Sequence, residues 1–136
     1  MKKSCRFLAI VLAVTICLAI SSSVSAAAPS GVNTEYYGLL SGRTTRSGDI
    51  VSSTTTIGMN PDNAYLRVKM RLQEGTTNIT PEVSGSSSRG VRSYTYRYDL
   101  SPYHDSNPNG GYATHEVRGG NTYDAEAYYT RFSLPA

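Results

Sequence analysis

From Ala64 to Gln73 the chain alternates without interruption: Ala64, Leu66, Val68, Met70 and Leu72 share one side, and Tyr65, Arg67, Lys69, Arg71 and Gln73 the other. A period of two places all the apolar groups on one face of an extended strand, so the segment predicts a strand half buried in a core. Asn60-Pro61-Asp62-Asn63 ahead of it has the residues of a turn, and Glu74-Gly75-Thr76-Thr77-Asn78 behind it those of a hairpin loop. Glu35 to Thr44 and Ile50 to Ile57 predict two further strands around Arg46-Ser47-Gly48-Asp49, the second rich in β-branched residues. The segment Ile79 to Gly90, with Pro81 and Ser86-Ser87-Ser88, suggests a crossing between sheets with a short strand near Val83. Alternation resumes with Tyr94, Tyr96, Tyr98 and Leu100 opposite Ser93, Thr95, Arg97 and Asp99, the tyrosine side being assigned to the core. Tyr112 to Arg118 and Thr122 to Phe132 flank Gly119-Gly120-Asn121, which suits a tight hairpin turn. No stretch carries a helical stripe. The expected fold is all-β: a small antiparallel β-sandwich of six to seven strands, with a partly open β-barrel as the alternative.

The first 26 residues follow a different pattern. Met1-Lys2-Lys3 is cationic, Phe7 to Ile20 is apolar, and Val24-Ser25-Ala26 supplies small residues for cleavage. These are the three regions of a secretory signal peptide, predicted to be cut after Ala26. The serines at 21 to 23 end the apolar run well short of the roughly twenty residues that span a bilayer, so no membrane span is expected after cleavage. The sequence thus divides into a signal peptide at 1–26, a flexible tail at 27–33 and one sandwich domain at 34–136, with a secreted, extracellular address.

Removing the signal changes the composition. Of 136 residues, 110 remain, and both cysteines, Cys5 and Cys17, are lost, leaving neither disulfide nor thiolate. Lys2, Lys3 and Arg6 also go, so the thirteen basic residues fall to ten, equal to the ten Asp plus Glu. A neutral exported chain has little general attraction for nucleic acid, which is not expected as a partner. Leu, Ile, Val and Phe number only sixteen among the mature residues, but eleven tyrosines replace the missing apolar area. Each tyrosine buries a ring while its hydroxyl finds water or a partner, so the core is expected to be Tyr-rich and amphipathic.

Two constellations are chemically suggestive. Asp105-Ser106-Asn107-Pro108-Asn109-Gly110, followed after five residues by Glu116, has the spacing of a calcium loop, with Asp105, Asn107, Asn109 and Glu116 as oxygen donors for a weak Ca2+ site. The plain alternative is a polar turn, favoured by Pro108 inside the loop and by strand-like flanks; no other cofactor is indicated. If the last hairpin turns on two residues, His115 lies across from Asp124 or Glu126, which would suit an acid–base pair. A pair of this kind on a solvated face is also an ordinary surface contact, and the other histidine, His104, sits in the preceding loop. The chain has no Gly-x-Ser-x-Gly elbow, no His-Glu-x-x-His and no phosphate-binding glycine loop.

What remains is surface. Arg67, Lys69 and Arg71 form a cationic row, and Arg92 and Arg97 interleave with Tyr94, Tyr96 and Tyr98. Guanidinium groups grip carboxylate or phosphate and tyrosines supply stacking faces, so these residues are the candidate binding surface, unless the rings are core. In its layout the chain loosely resembles small secreted β-sandwich bacteriocins, an architectural resemblance that carries no residue roles. The leading expectation is a non-catalytic exported module binding an envelope or extracellular protein or carbohydrate. A secreted bacteriocin or toxin-like effector, and a small extracellular hydrolase using His115 with Asp124 or Glu126, are the alternatives.

Overall fold

The computed structural model describes residues 30–103 and 105–135; the signal peptide, the first residues of the tail at 27–29, His104 and Ala136 lie outside the described residues. Nine strands form two antiparallel sheets: β1 Ser30–Thr34, β2 Gly38–Ser47, β3 Ile50–Thr56, β4 Tyr65–Glu74, β5 Thr77–Asn78, β6 Val83–Arg89, β7 Ser93–Asp99, β8 Gly110–Arg118 and β9 Glu126–Ser133. The first sheet runs β1-β2-β3-β7; in the second, β4 pairs with β8 on one side and with β5 and β6 on the other, and β9 lies beyond β8. Each sheet keeps two open edges, so the strands do not close into a barrel, and the two antiparallel sheets make an all-β sandwich. The count exceeds the expected six to seven by β1 and the two-residue β5, neither of which carries a period-two apolar pattern. Among the described residues no helix is long and apolar enough to cross a membrane.

The inward residues form two apolar clusters, one around Tyr37, Leu40, Ile57, Ala64, Leu66 and Val117, the other around Val51, Met70, Leu72, Leu100, Ala113 and Leu134. Tyr94 packs on the first, and Tyr96 and Tyr98 on the second, so the tyrosine side of β7 faces inward as its alternation predicts. These rings have room because Gly85 lies beneath them: a Cβ there would stand 2.4 Å from both the Tyr94 hydroxyl and a Tyr96 ring carbon. Strand β6 is therefore a low Ser/Gly strand laid over the tyrosines of β7, and the chain crosses between sheets at Gly90-Val91-Arg92.

Three local differences separate the structure from the predicted elements. Strand β2 begins at Gly38, because Glu35-Tyr36-Tyr37 forms a three-residue turn closed by Gly38 at φ +68 and by a 2.7 Å bond from the Thr34 hydroxyl to the Gly38 carbonyl. The preceding tail enters the sheet from Ser30 as β1, held by its pairing to β2. The β8–β9 hairpin does not turn on two glycines; residues 119–125 form a longer loop.

That loop is organised by Asp62, a carboxylate only 4% exposed. It accepts the Thr122 and Tyr123 amides, the latter at 2.7 Å, and the Tyr37 hydroxyl at 3.3 Å, while the Asp62 carbonyl accepts Asn121 N–H at 3.0 Å. Gly120 makes the approach possible, since a Cβ there would stand 2.0 Å from Asp62 Oδ2. Burial by itself would raise this carboxyl, but the Tyr123 and Thr122 donors outweigh it and hold it below the ordinary value. Asp62→Ala would leave these donors unpaired beside the core. It is expected to lower the melting temperature by at least about 5 °C and to speed amide exchange at Thr122 and Tyr123. Unchanged exchange at those two amides would show that the loop is held by something else.

Candidate functional site

The outer face of the second sheet follows from the alternation that buries its inner one. Along β4 it presents Tyr65, Arg67, Lys69 and Arg71; along β8, Tyr112, Thr114, Glu116 and Arg118; along β9, Ala127, Tyr129 and Arg131. Cross-strand pairing sets these in rows: Arg71 beside Tyr112 beside Arg131, Lys69 beside Thr114 beside Tyr129, and Arg67 beside Glu116 beside Ala127. Tyr112 is 48% and Tyr129 74% exposed. The Arg131 guanidinium sits 5.7 Å from the centre of the Tyr112 ring. On the far side of β4, Ser84 and Ser86 pair with Lys69 and Arg67, so short hydroxyls keep that margin low.

Charge on this face is only partly compensated. Glu116, itself buried, draws Lys69 Nζ to 3.2 Å and Arg118 to 3.4 Å, so one carboxylate serves two partly exposed cations. Arg67, Arg71 and Arg131 have no carboxylate within ion-pair distance among the described residues. A shallow depression of about 220 Å3 opens between Lys69, Arg71, Glu82, Tyr112 and Thr114. The outer face of the first sheet is different in kind: Ser41, Thr45, Ser52, Thr54, Thr56, Ser93 and Thr95 make it a hydroxyl surface with Arg43 and Arg97 as its cations.

The predicted surface is thus divided between two faces. Arg67, Lys69 and Arg71 stand together as expected, whereas Tyr94, Tyr96 and Tyr98 are half buried beneath β6 and do not join them. Arg97 lies on the outer side of β7, and Arg92 bonds the Gly58 carbonyl at 3.4 Å. The tyrosines that accompany the cationic row are Tyr112 and Tyr129, joined by Arg131. Tyr112 was legible in the sequence through the alternation of Tyr112, Thr114, Glu116 and Arg118 with Ala113, His115 and Val117, which marks the residues that point away from the core; β9 carries no such contrast for Tyr129 and Arg131.

The calcium-loop residues are not gathered around one centre. Gly110–Arg118 is extended, so at about 3.3 Å per residue Glu116 lies roughly 20 Å from Asn109 along the strand. Asn107 Oδ1 accepts a bond from Arg46 at 3.1 Å, Asn109 Oδ1 accepts the Gly75 amide at 3.0 Å, Glu116 is engaged by Lys69 and Arg118, and Asp105 is exposed. The residues with calcium spacing serve instead as a polar connection pinned to β2 and to the β4–β5 turn. Among the described residues no three of His, Cys, Asp and Glu are grouped so as to hold a metal ion.

His115 likewise takes an unexpected place. The longer loop pairs it with Tyr128, while Glu126 pairs with Val117 and Asp124 lies in the loop. Its ring is fully buried between the two apolar clusters, with Nδ1 sharing a 2.9 Å hydrogen bond with the Thr55 hydroxyl and Nε2 without a partner. Gly42 of the opposite sheet provides the space: a Cβ there would stand 2.0 Å from the imidazole. Burial pushes the imidazole down to about 4, so the ring is neutral at ordinary pH. Among the described residues it has no carboxylate partner, and Gly42, Thr55 and Tyr128 surround the ring.

No family model matches the chain, and neither a curated protein nor a solved structure shows significant similarity to it.

Proposed function

We propose that the protein is an exported, non-catalytic binding module that works at the cell envelope or outside the cell through the outer face of its second sheet. The observation that carries this reading is the grid of Arg67, Lys69, Arg71 and Arg131 around the exposed Tyr112 and Tyr129, in which three guanidinium groups have no carboxylate partner among the described residues. Unpaired arginines beside exposed aromatic rings cost little to desolvate in part and gain directed bonds when a partner arrives. The signal peptide read at residues 1–26 supports the address.

The test is cosedimentation of the chain from residue 27 onward with cell-envelope fragments of its own host. All the described strands lie within this piece and pack against one another. The unaltered domain is expected to pellet with the fragments, and a triple variant, Arg71→Ser with Tyr129→Ser and Arg131→Ser, to stay in the supernatant at an unchanged melting temperature. Equal pelleting of the two would remove this face from the function.

A further inference from the structure

We infer that the ligand of this face is an acidic polysaccharide, a chain of sugar rings bearing carboxylates, laid across β4, β8 and β9. The inference rests on the binding-module reading above and adds the chemical class. Arg67, Lys69 and Arg71 recur at every second residue of β4, about 6.6 Å apart, and Arg131 stands two strands away, about 10 Å from Arg71. Cations at regular intervals on a flat sheet suit an extended polyanion with recurring charges better than a compact anion. Arginine forks fit carboxylates in particular through paired N–H donors.

The other groups of the face select for sugar. Tyr112 and Tyr129 offer exposed planar rings of the size of a pyranose, with the Arg131 guanidinium over the Tyr112 ring at 5.7 Å from its centre. Ser84, Ser86 and Thr114 supply hydroxyls able to donate or accept, and Glu82 borders the depression as an acceptor for sugar hydroxyls. The depression of about 220 Å3 is open and below the size of an enclosed small-molecule pocket, which suits one ring of a longer chain.

Affinity electrophoresis of the chain from residue 27 onward in gels containing polygalacturonate, dextran or a single-stranded oligonucleotide tests this directly. Retardation is expected in polygalacturonate, and affinity for dextran is expected to be at least about tenfold weaker. Arg71→Ser, Arg131→Ser and Tyr129→Ser are each expected to weaken binding about tenfold, the loss of one charge-assisted or stacking contact, without shifting the melting temperature. Absence of retardation in polygalacturonate would overturn the inference. So would equal retardation by the oligonucleotide with no effect of Tyr129→Ser, the behaviour of a simple cation exchanger. If envelope fragments bind the unaltered domain and not the triple variant while polygalacturonate fails, the binding-module reading stands and the acidic-glycan inference falls. If neither binds, both fall.

Discussion

Replacing Gly42 by alanine is expected to destabilise the domain by about 1–3 kcal/mol, the usual cost of forcing extra volume into a filled core. The cause is specific: the new methyl would stand 2.0 Å from Cδ2 and Nε2 of His115, a fully buried ring that is bonded by Thr55 and has the Tyr128 ring centre at 6.3 Å. His115→Ala alone is expected to cost about 2–5 kcal/mol through the cavity it leaves. In that background the Gly42 substitution should become neutral or favourable, because the methyl then fills empty space. Urea melts of the two single variants and the double variant measure the coupling. An equal penalty for Gly42→Ala in both backgrounds would mean that the clash with His115 is not its cause.

Acid is expected to weaken the fold in a window set by the same residue. The unfolded imidazole titrates near 6.5 and the folded one near 4 because burial disfavours its charged form. Below pH 6.5 the unfolded chain takes up a proton that the folded chain excludes. Stability that is complete above pH 6.5 is therefore lost as the pH falls toward 4, by about 3 kcal/mol in all. Asp62 and Asp99 are held below the ordinary value of 3.8, so the stability they contribute is present above that value and is lost only at still lower pH. The check is a series of denaturant melts from pH 7.5 to 4 in a His104→Gln background, with and without His115→Gln. The slope between pH 6.5 and 4 should disappear in the second protein, and its persistence there would assign it to another group.

Both effects arise from a residue whose face was legible in the sequence and whose partners were not. Alternation along β8 places His115 with Ala113 and Val117 whatever the loop length. The partner across the hairpin depends on loop length, which a two-residue turn at Gly119-Gly120 or Gly120-Asn121 would have set. Those glycines have other work: Gly120 admits the Asp62 carboxylate and Gly119, at φ +62, presents its carbonyl to Arg89. A glycine needed for close approach and one needed for a turn look alike in a sequence.

The same distinction explains which strands could be seen. Strands β4 and β7 carry apolar or aromatic residues at every second position, and β3 is rich in β-branched residues, so all three were plain. Strand β6, Val-Ser-Gly-Ser-Ser-Ser-Arg, buries almost nothing of its own and is strand because it covers the tyrosines of β7 and pairs with β4. Strand β1 has four exposed residues out of five and is held by its ladder to β2. Backbone pairing leaves no periodic mark where side chains are small or solvated. The candidate site was half legible for a related reason: the cations of β4 stand on the strand with the clearest alternation, while Tyr129 and Arg131 lie on β9, whose inward residues Tyr128, Thr130 and Phe132 resemble its outward ones in polarity.

The most direct measurement is the mapping of backbone amide shifts in the labelled domain as solubilised fragments of the host envelope are added. A binding face on the second sheet should give perturbations concentrated at Arg67, Lys69, Arg71, Tyr112, Thr114, Tyr129 and Arg131, with the Ser/Thr face of the first sheet silent. Perturbations confined to β2, β3 and β7, or none at saturating fragment, would contradict it.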